Sequence, residues 1–112
     1  MVLGIFDTIS HAETALNNLI EAEFEPKDIS VVTNNPSQTK LLGDFSGRIM
    51  KQSSGKLTQQ LKKCGISEQD AKEYNTYVNN GGILITIEGS KESEDVASEM
   101  LKDHQAQYIK IM

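Results

Sequence analysis

Hydrophobic and polar positions recur with two different periods along this chain, and the switches between them mark its elements. Val2–Phe6 is a short apolar run that reads as a strand. Ala12, Ala15, Leu16, Leu19 and Ile20 follow at the 3.6-residue spacing of a helix with one apolar face. Ser10 and Glu13 have the spacing of a capping box, which predicts the helix start at Ser10, and Phe24 and Pro26 mark its exit. Ile29–Thr33 is rich in β-branched residues and predicts a second strand, closed by the turn residues Asn34, Asn35, Pro36 and Ser37.

The same order returns at the far end. Residues 82–88 alternate Ile83, Ile85 and Ile87 against Leu84, Thr86 and Glu88, which predicts a strand with two different faces. Val96, Ala97, Met100 and Leu101 give a helical stripe behind the acidic Glu92, Glu94 and Asp95, and residues 108–112 alternate again. Two strand-helix-strand units of similar length can interleave into one sheet. The expected fold is therefore α+β, a ferredoxin-like two-layer sandwich with a four-stranded, mainly antiparallel sheet and helices on one face. The chain divides into a first unit over 1–33, a basic loop and helical insertion over 34–81, and a second unit over 82–112, all within a single domain.

Inside the insertion Ser67 predicts a helix cap, and Ala71, Tyr74, Tyr77 and Val78 form an apolar-aromatic stripe that stops at Asn79, Asn80, Gly81 and Gly82. Leu57, Leu61 and Cys64 have helical spacing, as do Leu41, Leu42, Phe45 and Ile49, although Gly43 and Gly47 weaken the latter.

Val2 to Asp7, Phe24 to Val32, Gly65-Ile66-Ser67, Asp70 to Tyr74 and Val78 to Ile85 together resemble the bacterial heat-induced general stress protein family of YflT type. The resemblance spans both ends and the insertion's last helix. It implies a stress-associated domain without an assigned reaction. Relatives carry a glycine-zipper-like stretch centrally where this chain has a polar, basic run, so no role for that stretch transfers.

Composition adds one asymmetry. Segment 40–63 holds six basic residues against Asp44, a net of +5, so the remainder carries −10 to reach the chain's −5. Arg48, Lys51, Lys56, Lys62 and Lys63 are thereby candidate contacts for an anionic partner, against the plainer reading of a solvated loop folded on its own acidic domain. Tyr74 and Tyr77 are candidate pocket residues, against the plainer reading of core packing.

Other chemistry is thin. Cys64 is the lone cysteine, which excludes an intrachain disulfide and fits a reducing compartment; Lys62 and Lys63 beside it give only a weak case for a reactive thiolate. His11 and His104 fall at predicted helix ends without partner motifs, Gly81-Gly82 follow a helix and read as its cap rather than a phosphate loop, and Gly4 reads as a site of close approach. No cofactor or metal motif occurs. No apolar run approaches the roughly twenty residues of a membrane span, and the apolar start meets Asp7 without a basic leader, so a cytoplasmic protein is expected. The functional expectation is a non-enzymatic interaction or regulatory domain, homodimeric through its open sheet edges. A small-molecule sensor and a peripheral binder of anionic membrane are the alternatives, a protein partner ranks ahead of the membrane, and the acidic bulk disfavours nucleic acid.

Overall fold

The computed structural model describes residues 1–34, 48–51 and 56–111. Its elements run β1 (Val2–Phe6), α1 (Ile9–Glu21), a 3-10 turn (Pro26–Asp28), β2 (Ile29–Thr33), β3 (Arg48–Lys51), α2 (Lys56–Lys63), α3 (Glu68–Asn79), β4 (Ile83–Ile87), α4 (Lys91–Asp103) and β5 (Gln107–Ile111). The sheet has the order β3-β2-β4-β1-β5. β2, β4, β1 and β5 each pair antiparallel with their neighbours in that order, and β3 joins the edge parallel to β2. Arg48–Lys51 is thus a strand, which corrects the helical reading of Ile49; Lys40, Leu41, Leu42 and Phe45 lie outside the described residues.

Strand side chains point alternately to opposite faces, and here both faces are covered. Val2, Phe6, Val31, Ile83, Ile85 and Ile87 pack with Ala12, Ala15, Leu16 and Leu19 of α1 and with Ala97 and Leu101 of α4. The alternate positions Leu3, Ile5, Val32 and Leu84 pack with Leu57 and Leu61 of α2 and with Ala71, Tyr74 and Val78 of α3. The sheet is therefore the middle of three layers. This corrects the expected two-layer sandwich: the insertion does not hang beside the frame but seals its second face, because leaving Leu3, Ile5 and Leu84 in water would forfeit about 25 cal/mol for each Å² of apolar surface.

The helix ends follow local chemistry. The first cap is Thr8 rather than Ser10: Thr8 is extended, and its Oγ1 accepts from the His11 N–H at 3.3 Å, so α1 starts earlier than the Ser10-Glu13 spacing predicts. Ser67 caps α3 as expected, accepting from the Asp70 N–H at 3.2 Å, and Ser90 caps α4 in the same way.

The four helices among the described residues stop in one arrangement, in which the residue after the cap turns left-handed and the next N–H reaches back to the last turn. Gly65 and Gly81 take that position at no steric cost, whereas Glu23 and Gln105 take it with φ of 71° and 67°. The pair of bonds that ends α3, Gly81 N–H to the Val78 carbonyl at 3.1 Å and Gly82 N–H to the Tyr77 carbonyl at 2.8 Å, fixes the exit of that helix into β4. Among the described residues no helix is long and apolar enough to cross a membrane.

Candidate functional site

α3 places Asp70, Tyr74 and Tyr77 at four- and three-residue steps along one side, so that they meet the edge strand β5. Tyr74 points into the core beside Ala71 and Val78 and is only 5% exposed. Asp70, Glu73 and Tyr77 stand at the rim. Together with Tyr108, Ile109 and Lys110 of β5 they enclose a cleft of about 200 Å³.

A bulge in β5 shapes this cleft. Leu3 faces Lys110 and Ile5 faces Gln107, so Tyr108 and Ile109 together oppose the single residue Gly4. Tyr108 absorbs the extra residue with φ of 54°, a left-handed conformation that is costly for a bulky side chain. Gly4 makes room: a methyl group there would meet Ala106 Cβ at 3.3 Å and Leu101 Cδ1 at 3.4 Å, in line with its reading as a site of close approach. The Tyr108 carbonyl accepts the hydroxyl proton of Tyr74, and the Tyr108 ring stacks on Tyr77 with centroids 4.2 Å apart and planes 22° from parallel. Lys110 donates to Asp70 across the same gap.

These contacts set the ionisation of the site. The Lys110 ammonium, hydrogen-bonded to Asp70, holds that carboxyl below the usual range. Burial pushes the Tyr74 phenol well up, with the charges of Asp70 and Glu73 adding to it. Tyr77 is pushed up to about 12, first by its hydrogen bond with Tyr108 and then by desolvation and neighbouring charge.

Both phenols are raised above the ordinary value near 10, so the folded state holds these protons more tightly than the unfolded chain. Their contribution to stability is complete below pH about 10 and is lost as pH rises toward the folded values. Denaturation curves across that range, paired with tyrosinate absorbance, should show stability falling while ionisation of these phenols lags behind that of free tyrosine. Stability unchanged across the range, with normal titration, would contradict this geometry.

The structure thus brings Tyr74 and Tyr77 together in one cleft, but it does not bring the basic candidates there. Lys62 lies in the last turn of α2 with its Nζ 3.6 Å from Glu68, which also lies 3.9 Å from Lys72. Lys63 borders a different cavity of about 340 Å³ between α2 and the sheet, shared with Leu57, Leu61, Leu84 and the exposed Cys64. Arg48 and Lys51 belong to β3 and Lys56 opens α2, but their side chains lie outside the described residues.

His104 Nε2 is 2.6 Å from Asn18 Nδ2, tying α4 to α1, and His11 Nδ1 is 3.0 Å from Thr8 Oγ1. Among the described residues no group of three or more metal-ligating side chains stands together. Tyr108, Glu73 and Lys110 were not visible as site residues in the sequence, since each joins the site only through the bulge and the packing of α3. No protein-family model matches the chain, and neither a curated protein nor a solved structure matches it significantly.

Proposed function

We propose that the protein is a non-enzymatic, stress-associated interaction domain that pairs with a second copy of itself through the open edge of its sheet at β5. The observation that carries this reading is exposure: among the described residues β5 is bonded to β1 alone, and it leaves Tyr108 and Ile111 each half exposed on an edge with no described strand beside it. The helices cover both faces of the sheet, which leaves its edges as the surface open to strand pairing. The bulge at Tyr108 and the charge of Lys110 shorten the usable ladder, so the association is weak and concentration-dependent rather than obligate.

Light scattering over a concentration series should show the mass rising from monomer toward dimer, and Ile111→Lys should hold the chain monomeric. A wild-type mass fixed at the monomer at every concentration would remove self-association from the account. The order β5-β1-β4-β2, built from two interleaved strand-helix-strand units, supports reading the frame as ferredoxin-like. The stress association is what the sequence resemblance implies.

A second reading, a small-molecule sensor, is favoured by one observation, the tyrosine cleft closed by a strained bulge. Attachment to an anionic surface draws less support, because Lys62 already faces Glu68.

A further inference from the structure

Charge around the tyrosine cleft is paired in all but one place. Lys110 engages Asp70, and Lys62 and Lys72 share Glu68. Glu73 has no ion pair among the described residues. It projects from α3 one turn before Tyr77, on the same side of the helix. Both residues border the cleft of about 200 Å³ and also the adjoining groove of about 350 Å³ that runs past Gln69 and Thr76. A single carboxylate and a single aromatic ring are therefore common to two adjoining concavities.

We infer that this place takes a guanidinium group, stacked on the face of the Tyr77 ring that Tyr108 leaves uncovered and held by the Glu73 carboxylate. The inference rests on the sensor reading and supplies its ligand class. Guanidinium is planar and weakly hydrated, so it can lie on an aromatic face while its forked N–H groups reach a carboxylate in the same plane. An ammonium, compact and strongly hydrated, gains less from such a surface. An anion would meet Glu73 and Asp70 with Lys110 and Lys72 in its favour, and both lysines already face carboxylates, Asp70 and Glu68. The charge of Glu73 is felt at the ring it would share with the ligand, since it helps to raise the Tyr77 phenol. The guanidinium can belong to a free arginine-like molecule or to an arginyl side chain offered by a partner, and the chemistry at Glu73 is the same for both.

Nitrogen-15 NMR titration of the intact chain tests this, with N-acetyl-arginine amide as probe and N-acetyl-citrulline amide as its neutral isostere. Saturable shifts at Glu73, Thr76 and Tyr77 are expected with arginine, and binding about tenfold weaker with citrulline, the loss expected for one charge-assisted contact at an exposed site. Glu73→Gln should weaken arginine binding to the same degree, whereas Glu99→Gln, on exposed α4 surface, should not.

Both variants alter exposed positions, so folding is not at stake. A short arginyl peptide binding more tightly than the capped amino acid supports a partner's side chain as the source, and equal binding supports a free ligand. Citrulline binding as tightly as arginine, or an unaffected Glu73→Gln, would overturn the guanidinium while leaving a ligand cleft in place. No shift with either probe would overturn both readings.

Discussion

Gly82→Ala is expected to destabilise the protein by about 2–3 kcal/mol, the upper range for overpacking a closed site. A Cβ on Gly82 would stand 2.8 Å from the Tyr77 carbonyl oxygen, 3.3 Å from its carbon and 3.2 Å from Ile5 Cγ2. The first of these is backbone, and it cannot swing aside cheaply, because that same oxygen accepts the Gly82 N–H at 2.8 Å where α3 ends. Relief must therefore move Tyr77 itself, whose ring is stacked on Tyr108. The neighbouring Gly81→Ala is the control. Gly81 has φ of 100° with open space around it, so the substitution costs only the left-handed strain, about 1 kcal/mol. Urea midpoints of the two variants should separate clearly, and the Tyr77 and Tyr108 ring signals should shift in Gly82→Ala alone. Equal midpoints would mean that the chain relaxes there without disturbing the end of α3.

The strands were legible because their information is local. Ile29–Thr33 forms with the bounds that its β-branched run implies, and the glycine-bearing exit of α3 is readable in Asn79-Asn80-Gly81-Gly82 alone. The third layer is legible in principle from β1. Val2–Phe6 is apolar at every position, and such a run belongs to a strand covered on both faces. Ile83, Ile85 and Ile87 define one face of β4, and Leu84 on the other belongs to the cluster that α3 completes.

β3 is four residues long, too short to distinguish a period of two from one of 3.6, so Ile49 fits a helical series with Leu41 and Phe45 equally well. The bulge has no local signature. It arises where Gly4 leaves space beside Ala106 and Leu101, and only this shift brings the Tyr108 ring onto Tyr77. Asp70 and Lys110 are forty residues apart in sequence, and nothing at either position announces the other. Two of the seven residues around the cleft, Tyr74 and Tyr77, are thus visible as an aromatic stripe, while Tyr108, Ile109 and Lys110, which turn the stripe into a cleft, depend on the sheet edge it meets.

Leu84→Ala should cost about 2–5 kcal/mol, the range for emptying a buried leucine site. It is also the variant that weighs the third layer directly. In a sheet covered on one face only, Leu84 would point to water and its truncation would matter little. Here it is fully buried among Leu61, Ile66 and Val78, so its loss should rival that of Ile85→Ala on the face packed by α1 and α4. Leu61 of α2 and Leu84 of β4 border the same cavity of about 340 Å³, which gives a second measurement independent of the first. Residues that share a cavity couple, so the double variant with Leu61→Ala should depart from additivity by at least about 0.5 kcal/mol, where distant pairs add. The pair Leu84 and Leu16, on opposite faces of the sheet, should add. A small loss in Leu84→Ala together with strict additivity against Leu61 would mean that α2 is not seated on the sheet, and the frame would then close on one face alone.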